Sequence, residues 1–209
     1  MLEYKIISPA DSLYPYNLKQ LSDRPKRLYL AGSFAPSDQK AIAIVGSRRM
    51  TDFGKKTAWE FSSALSKAGV TVISGIARGV DTVAHKAAIF AGGRTIAVLG
   101  SGIDVIYPPE NIFLAREIAV CGAVITEFPP GTPPDAKNFL SRNRIVSGLS
   151  LGVLVIEGLK RSGTLSTASH AARDGKEVFA IPGSEATDWL IEEGATSVTR
   201  PKDILDMLV

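Results

Sequence analysis

The sequence predicts a doubly wound α/β domain, in which helices cover both faces of a mostly parallel sheet. Short apolar runs that lead into glycine-containing turns begin 24 to 29 residues apart, an interval that fits one strand, one crossover helix and two turns. Runs such as residues 42–45 and 153–156 are continuously apolar, as expected of strands buried on both faces. The six predicted strands are Ala41–Val45, Val70–Ser74, Arg94–Leu99, Ala123–Glu127, Leu151–Glu157 and Glu177–Ala180.

The segments between these strands carry helix signals. Thr51 is suited to cap a helix that ends at Gly69, and Asp81 is the expected cap of the next helix. Pro108 and Pro109 are suited to open a third helix. The apolar stripe predicted for the first helix consists of Phe53, Thr57, Phe61, Leu65 and Ala68.

The composition excludes several classes of site. The chain has 209 residues, 45% of them hydrophobic, which suffices for one core without a disulfide or metal. Cys121 is the only cysteine, and with two histidines the sequence contains no C-x-x-C or H-E-x-x-H motif. We therefore expect no structural zinc and no cofactor. His85, on a predicted alanine-rich helix, is interpreted as a packed core residue.

The start of the chain and the lack of a long apolar stretch favour a cytoplasmic protein. The first residues lack a signal-peptide pattern, and no apolar stretch approaches the roughly 18 residues of a membrane span. We therefore expect no membrane partner. The net charge is only +3, with 24 basic against 21 acidic residues, so a basic site would be local.

The first 40 residues lack the strand and helix rhythm of the rest. Pro9, Pro15, Pro25 and Pro36 fall within them. The sequence predicts an irregular N-terminal arm over residues 1–40, packed on a domain formed by residues 41–209.

Glycine and basic residues follow the predicted strands, where a parallel sheet binds its ligands. Glycine lets main-chain N–H groups approach an anion, and arginine adds charge. A phosphate-bearing ligand is predicted, although a tight turn explains the glycine of any one segment equally well. The segments are residues 46–49, 75–79, 100–104, 158–163 and 182–184, together with a proline-rich connection, residues 128–150, that carries Lys137, Arg142 and Arg144.

The common nucleotide fingerprints are absent. The sequence has no G-x-x-x-x-G-K-[ST], and no G-x-G-x-x-G follows the first predicted strand. Ser74 stands where a ribose-binding carboxylate is expected. These absences disfavour NAD and ATP.

Candidate catalytic residues are few. Ser162 and His170 lie eight residues apart and are poorly placed for a nucleophile and its base. Glu127 and Glu157 end two predicted strands, where they could form a carboxylate pair for hydrolysis. The alternative is that they pair with Arg142, Arg48 or Arg78 and orient them. We favour the alternative and predict a binding protein that is not an enzyme.

Helix geometry separates the two arginines of the proline-rich connection. On a helix starting at Asn138, Arg142 shares a side with Val146, whereas Arg144 points nearly the opposite way. Arg142 is expected to be partly buried and Arg144 to reach solvent or a second face. Phe139 either stacks on a base or anchors the helix in the core.

Several strings then occur in one order between about Tyr14 and Leu205. They are Ile44–Arg48, Ser74–Asp81 with Ala84–His85, Gly92–Gly100, Asp104–Asn111, Glu127–Gly131, Asn138–Ile145, Arg161–Thr164 and Pro182–Ser184, preceded by Tyr14–Pro15 and Arg24–Pro25. In this order the chain resembles the DNA-processing protein A (Smf) family. The resemblance implies an extended Rossmann-like domain that binds single-stranded DNA without base specificity.

The resemblance also implies partners and site residues. It implies a homodimer that protects incoming DNA, loads the RecA recombinase in natural transformation and displaces single-strand-binding protein. It implies that DNA is bound by Arg48, Arg78, Lys137, Asn138, Phe139 and Arg142, with turn contacts from Gly46, Ser47, Gly75, Gly100, Ser101, Ser162 and Gly163.

The sequence differs from the family pattern in two respects, and one alternative function is also considered. Many members carry a helical N-terminal or winged-helix C-terminal domain for which this length leaves no room, and the loop after Ser184 is shorter than usual. The alternative function is that of a LOG-type phosphoribohydrolase or a nucleotide sensor. Those hydrolases need P-G-G-x-G-T-x-x-E, whereas residues 159–167 lack the second glycine and the final glutamate.

Overall fold

Strands and helices alternate along most of the chain. The computed structural model describes residues 2–160 and 162–208. The strands are β1 (Lys5–Ile7), β2 (Leu28–Gly32), β3 (Ala41–Val45), β4 (Thr71–Ser74), β5 (Thr95–Val98), β6 (Ala123–Thr126), β7 (Gly152–Val155), β8 (Glu177–Ala180) and β9 (Thr196–Ser197). The helices are α1 (Tyr16–Lys19), α2 (Asp52–Lys67), α3 (Val80–Phe90), α4 (Ile112–Cys121), α5 (Ala136–Leu149), α6 (Gly163–Arg173), α7 (Glu185–Glu192) and α8 (Pro201–Leu205), with short 3₁₀ turns at Pro36–Gln39 and Pro109–Asn111.

Within the described residues, the nine strands form one sheet in the order β1-β2-β6-β5-β4-β3-β7-β8-β9. The strands from β6 to β9 in this order are parallel, and β2 and β1 extend the sheet as antiparallel strands. The chain proceeds from β3 through β4 and β5 to β6, and then returns to β7 on the other side of β3. This topology confirms the predicted doubly wound, Rossmann-like fold, and it places the reversal of strand order between β3 and β7.

Alternate residues of the strands face two different helical layers. On β3, Ala41, Ala43 and Val45 pack in the core that includes residues of α1, α5, α6 and α7. Ile42 and Ile44 pack on the opposite face, in the core formed with α2, α3 and α8. Helix α4 covers the latter face near β5 and β6. Both faces are therefore buried, which explains why the central strands are continuously apolar.

The first 40 residues are not the irregular arm that the sequence predicts. Leu28–Gly32 forms β2, which pairs with β6, and Lys5–Ile7 pairs with β2. The prolines lie in the turns around these strands and not within them, so they do not prevent pairing. The apolar run 28–31 is the signal that this prediction neglected. The predicted boundary at residue 40 therefore crosses one continuous sheet.

The predicted helix cap is found at the start of α2 but not at the start of α3. Thr51 is the N-cap of α2, and its side-chain oxygen accepts a hydrogen bond from the Gly54 N–H at 3.0 Å. Helix α3 is preceded by Gly79, with a φ of +77°, and Asp81 lies inside its first turn. Phe53, predicted to be in the buried stripe of α2, is 60% exposed. The predicted cap at Asp81 and the placement of Phe53 are therefore wrong.

Within the described ranges, no helix has both the length and the apolar character needed to cross a membrane.

Candidate functional site

A cavity of about 770 Å³ lies at the carboxyl ends of the central strands, where the strand order reverses. Its walls come from the loops after β3, β4 and β7 and from one face of α5. The volume lies in the range of typical ligand pockets. Eight of the predicted site residues line it: Gly46, Ser47, Arg48, Gly75, Phe139, Arg142, Ser162 and Gly163.

Two further predicted residues lie next to this cavity. Arg78 lines a small adjoining pocket together with Tyr107 and Pro108. Gly100 lies directly beneath the ring of Phe139, because a Cβ atom at residue 100 would come within 2.5 Å of the ring. Gly100 thus gives the ring its space and does not line the cavity.

The remaining predicted residues lie outside the cavity wall. Ser101 is buried, and its hydroxyl donates to the carbonyl of Val105 at 2.5 Å. Lys137 is exposed and Asn138 is partly exposed in the first turn of α5. Arg161, which belongs to the matching strings, lies outside the described residues.

The loops after β3 and β4 are packed tightly against each other. A Cβ atom at Gly79 would collide with the carbonyl oxygen of Ser47, so only glycine allows this approach. The N–H of Val80 donates to the same carbonyl at 3.2 Å. The position of the Gly46–Arg49 segment is therefore fixed by the start of α3.

The loop after β4 has an unusual backbone that polar side chains stabilise. Ile76 has a φ of +56°, a conformation that is costly for a β-branched residue. The carboxylate of Asp81 accepts hydrogen bonds from the N–H groups of Gly75 at 3.1 Å and Ala77 at 3.3 Å. The side-chain amide of Asn111 donates to the Ile76 carbonyl at 2.9 Å. This backbone shape defines one wall of the cavity.

Helix α5 presents the main candidate side chains. Asp135 caps it by accepting a hydrogen bond from the Lys137 N–H at 2.9 Å. Phe139 and Arg142 are three residues apart on the face toward the cavity. Arg142 and Val146 are both buried, as expected for residues on one side of the helix, and Arg142 is more deeply buried than the partial burial that the sequence predicts.

Of the two predicted positions for Arg144, solvent or a second face, the structure shows the side chain against acidic residues away from the cavity. Its guanidinium makes two hydrogen bonds to Glu127, at 2.9 and 2.7 Å, and lies 3.6 Å from Asp23. Its side chain is only 15% exposed. The acidic residues that end β6 and precede β2 therefore hold Arg144 against the protein.

Arg142 is a buried cation at the floor of the cavity. Only 4% of it is exposed, and its Nη1 donates to the carbonyls of Gly75, at 2.8 Å, and Val98. Its Nε donates to the side chain of Asn143 at 3.3 Å. No described acceptor takes a hydrogen bond from Nη2, so this end of the guanidinium is available to a ligand.

The ionisation of Arg142 is coupled to that of Asp81. Burial lowers the pKa of Arg142 to about 10, while the charge of Asp81 acts in the opposite direction. Burial also raises the pKa of Asp81, against the effects of Arg142 and two main-chain N–H donors. Arg142 therefore stays protonated at neutral pH.

The ring of Phe139 lies between charged and aromatic neighbours. The Arg48 guanidinium carbon lies 5.3 Å from the ring centroid, and the Tyr107 ring lies 5.7 Å away at an angle of 32°. Arg142 approaches the same ring to 6.0 Å. Phe139 is partly exposed, so its ring is neither fully buried nor free of neighbours.

The two candidate catalytic carboxylates have other partners than predicted. Glu157 accepts hydrogen bonds from the Thr51 N–H and hydroxyl, both at 2.7 Å, and so fixes the start of α2. Glu127 pairs with Arg144. The predicted pairing with Arg142, Arg48 or Arg78 is wrong, because Thr51 and Arg144 occupy these carboxylates. The residue that pairs with Arg78 is Glu110.

Asp81, Tyr107 and Glu110 are functional candidates that residue patterns did not single out. Asp81 looks like a helix cap in sequence, because its bond to the preceding loop depends on a backbone shape that the sequence does not reveal. Tyr107 and Glu110 lie beyond β5, far along the chain from Phe139 and Arg78. Their only signal is the Tyr107-Pro108-Pro109-Glu110 string itself.

Comparison with known proteins decides the family. The family model of DNA recombination-mediator protein A matches residues 5–209. The chain belongs to this family.

Relatives within the DNA recombination-mediator protein A family cover nearly the whole chain. Protein Smf of Escherichia coli K12 is 46% identical over 208 residues, which are 96% of this chain and 56% of that protein. A crystal structure of DNA processing protein A from Streptococcus pneumoniae has a TM-score of 0.92 and 38% identity, covering 98% of this chain and 74% of that one. A structure concerned with the single-stranded DNA binding mode of DNA processing protein A from Helicobacter pylori has a TM-score of 0.89 and 30% identity, covering 99% and 96%.

The chain therefore corresponds to a part of some relatives. It spans only about half of the length of the Escherichia coli protein and of Protein Smf from Synechocystis, 56% and 46% respectively.

Proposed function

We propose that the chain binds single-stranded DNA without base specificity in the cavity at the ends of β3, β4 and β7. The observation that carries this proposal is one cavity that holds the buried cation Arg142, the exposed cation Arg48 and the partly exposed ring of Phe139. Guanidinium groups neutralise phosphates, and an aromatic ring stacks on any base. The Helicobacter pylori relative, whose single-stranded DNA binding has been described, supports the same ligand class.

The shape of the cavity favours a single strand over a duplex. A base in a duplex would have to unstack and unpair before it entered a recess of about 770 Å³ between the loops and α5. A single strand presents its bases without that cost. The family's description as a recombination mediator is consistent with such a substrate.

The finer parts of the proposal rest on the family resemblance. We propose that the protein acts in the cytoplasm as a homodimer on DNA taken up in natural transformation, protects that DNA and loads RecA onto it. Displacement of single-strand-binding protein belongs to the same proposal. We also propose binding without turnover, because Glu127 and Glu157 are both engaged with neighbouring groups.

The decisive experiment is a titration of labelled single-stranded and duplex oligonucleotides of equal length over a range of salt concentrations. The single strand is expected to bind more tightly, with a log–log salt slope of about 0.7 per neutralised phosphate. Equal affinity in direct competition would contradict the proposal. A parallel incubation with nucleoside monophosphates is expected to release no free base, and steady release would favour the phosphoribohydrolase alternative.

A further inference from the structure

We propose that an exposed basic segment at the start of β2 gives the bound single strand a second set of phosphate contacts beyond the cavity. The basic segment consists of Arg24, Lys26 and Arg27, all exposed around the buried Pro25. This inference rests on the proposed function, since it concerns the path of the same DNA strand.

The register of the sheet places the basic segment at the edge that carries the cavity. Strand β2 runs antiparallel to β6, with Tyr29 opposite Thr126, the last residue of β6. Continuing this register places Arg27 beside Phe128. The start of β2 therefore lies at the carboxyl end of the parallel strands, on the same edge as the loops that line the cavity.

The distance between Arg142 in the cavity and the basic segment can be spanned by a short stretch of single-stranded DNA. Arg142 binds the carbonyls at the ends of β4 and β5, and β2 lies beyond β5 and β6 in the sheet. Neighbouring strands are about 4.8 Å apart, so the step from β4 to β2 is about 14 Å. A strand of a few nucleotides can bridge this gap, given that single-strand sites typically cover about 4 to 16 nucleotides.

The charges of the basic segment are not neutralised by the protein. None of its three side chains forms an ion pair with a described acidic residue, whereas the nearby Arg144 and Arg173 pair with Glu127, Asp174 and Asp23. Arg24 donates a hydrogen bond to the Leu21 carbonyl at 3.3 Å, but no described carboxylate pairs with these three side chains, so a phosphate need not displace an acidic partner.

The backbone of the basic segment is held in place. The hydroxyl of the buried Tyr14 donates to the carbonyl of Pro25 at 2.8 Å. The segment then enters β2, whose Leu28 and Leu30 are fully buried core residues. The main chain is thus fixed while the three side chains are exposed, so binding need order only side chains.

An apolar stretch follows β6 next to the basic segment. It consists of the partly exposed Phe128 and the exposed Pro129 and Pro130, and the register of β2 and β6 places Phe128 beside Arg27. Gly131 fixes the end of this stretch by donating its N–H to Asp104 at 2.8 Å. A partly exposed aromatic ring beside cations suits single-stranded nucleic acid, which is bound by stacking and charge.

The test compares oligothymidylates of about 4 and about 16 nucleotides on the full chain. The variant is Arg24→Gln/Lys26→Gln/Arg27→Gln. The matched control, Lys55→Gln/Lys56→Gln/Lys86→Gln, removes the same charge from exposed positions of α2 and α3. Thermal midpoints are recorded for all proteins to establish that the variants are folded.

The variant is expected to bind the short oligomer like the wild type. For the long oligomer, the affinity of the variant is expected to fall at least about tenfold at about 0.1 M salt. The log–log salt slope is expected to fall by about 2, because each of the three lost phosphate contacts contributes about 0.7. The control is expected to match the wild type with both oligomers. A wild-type slope for the long oligomer in the variant, or an equal loss in the control, would overturn the inference. Failure of the wild type to bind either oligomer would instead overturn the proposed function.

Discussion

Arg78, which lines the small pocket next to the cavity, forms a two-point ion pair with Glu110, with Nε 2.5 Å from Oε1 and Nη2 3.2 Å from Oε2. Both side chains are about half exposed, at 55% and 52%. The hydrogen bond to Glu110 raises the pKa of Arg78, and the same bond lowers that of Glu110. In the free protein Glu110 therefore competes with any phosphate for Arg78.

Glu110→Gln is expected to strengthen binding to single-stranded DNA severalfold and to steepen the log–log salt slope by about 0.7, because one more cation becomes available to phosphate. The measurement is a fluorescence titration at several salt concentrations. Glu117→Gln, an exposed acid on α4, is the control and is expected to change neither quantity. An unchanged salt slope in Glu110→Gln would mean that Arg78 does not contact DNA.

His85 is expected to make the protein less stable in weak acid. It is fully buried, as the sequence predicts, and its Nδ1 lies 2.7 Å from the Thr95 hydroxyl oxygen, which itself donates to the Val72 carbonyl at 2.8 Å. Nδ1 must therefore carry the proton and donate it, while Nε2 has no partner among the described residues. Burial, reinforced by the charge of Arg142, lowers the pKa of His85 to about 3.

The sign of this effect follows from linkage. Between pH 6.5 and 3 the unfolded chain binds a proton at His85 that the folded chain does not, so stability is full above pH 6.5 and falls as the pH drops. The expected loss from this group is about 1.4 kcal/mol per pH unit. Urea unfolding between about pH 6.5 and 5 measures it, because most carboxylates are still ionised there. His85→Asn keeps a donor toward Thr95 and cannot titrate. The free energy of unfolding of His85→Asn should therefore depend less steeply on pH than that of the wild type, and the difference in slope should correspond to about one bound proton. If both proteins show the same pH dependence, His85 is not the group that titrates.

Phe139 is expected to contribute more to DNA binding than to folding. Its ring is partly exposed between Arg48 and Tyr107, so Phe139→Ala should weaken binding by about 1 to 3 kcal/mol. The free energy of unfolding should fall by less than the roughly 3 kcal/mol expected at the low end for a fully buried phenylalanine. Titration and thermal unfolding of one preparation measure both.

Two conservative variants separate stacking from packing at Phe139. Phe139→Tyr keeps the aromatic face and should retain most of the affinity, whereas Phe139→Leu keeps apolar contact above Gly100 but loses stacking. If Phe139→Leu binds as tightly as the wild type, the ring serves only as an anchor.

The central sheet was predictable because its strands are buried on both faces. Residues Ala41–Val45 and Glu177–Ala180 are strands with the predicted bounds. The pairing of Leu28–Gly32 with β6 was not predictable in the same way, since an antiparallel strand added at the edge breaks the regular interval between strands. Short β1 and β9 have too few residues to show a pattern.

The location of the candidate site was predictable from the sequence, because it depends on where the parallel strands end. The glycine and arginine after β3 and β4 meet at one edge because all parallel strands end there. Side-chain pairing was harder to predict, because it depends on distances of an ångström or two between segments far apart in sequence. Arg144 thus pairs with Glu127, and Glu157 holds Thr51 instead of an arginine.

Replacing Arg48 by alanine and replacing Arg142 by alanine are expected to affect the thermal midpoint differently, although both residues line the cavity. Arg48 is exposed and pairs with no described carboxylate, so Arg48→Ala should flatten the salt slope by about 0.7 and leave the thermal midpoint nearly unchanged. Arg142→Ala also removes the hydrogen bonds that the guanidinium donates to the carbonyls of Gly75 and Val98. A buried acceptor that loses its donor costs about 1 to 3 kcal/mol, and for a domain of this size each kcal/mol lowers the thermal midpoint by about 2 to 4 °C. Equal losses of midpoint for Arg48→Ala and Arg142→Ala would show that Arg48 is also structural, because a residue that only contacts DNA has no reason to stabilise the free fold.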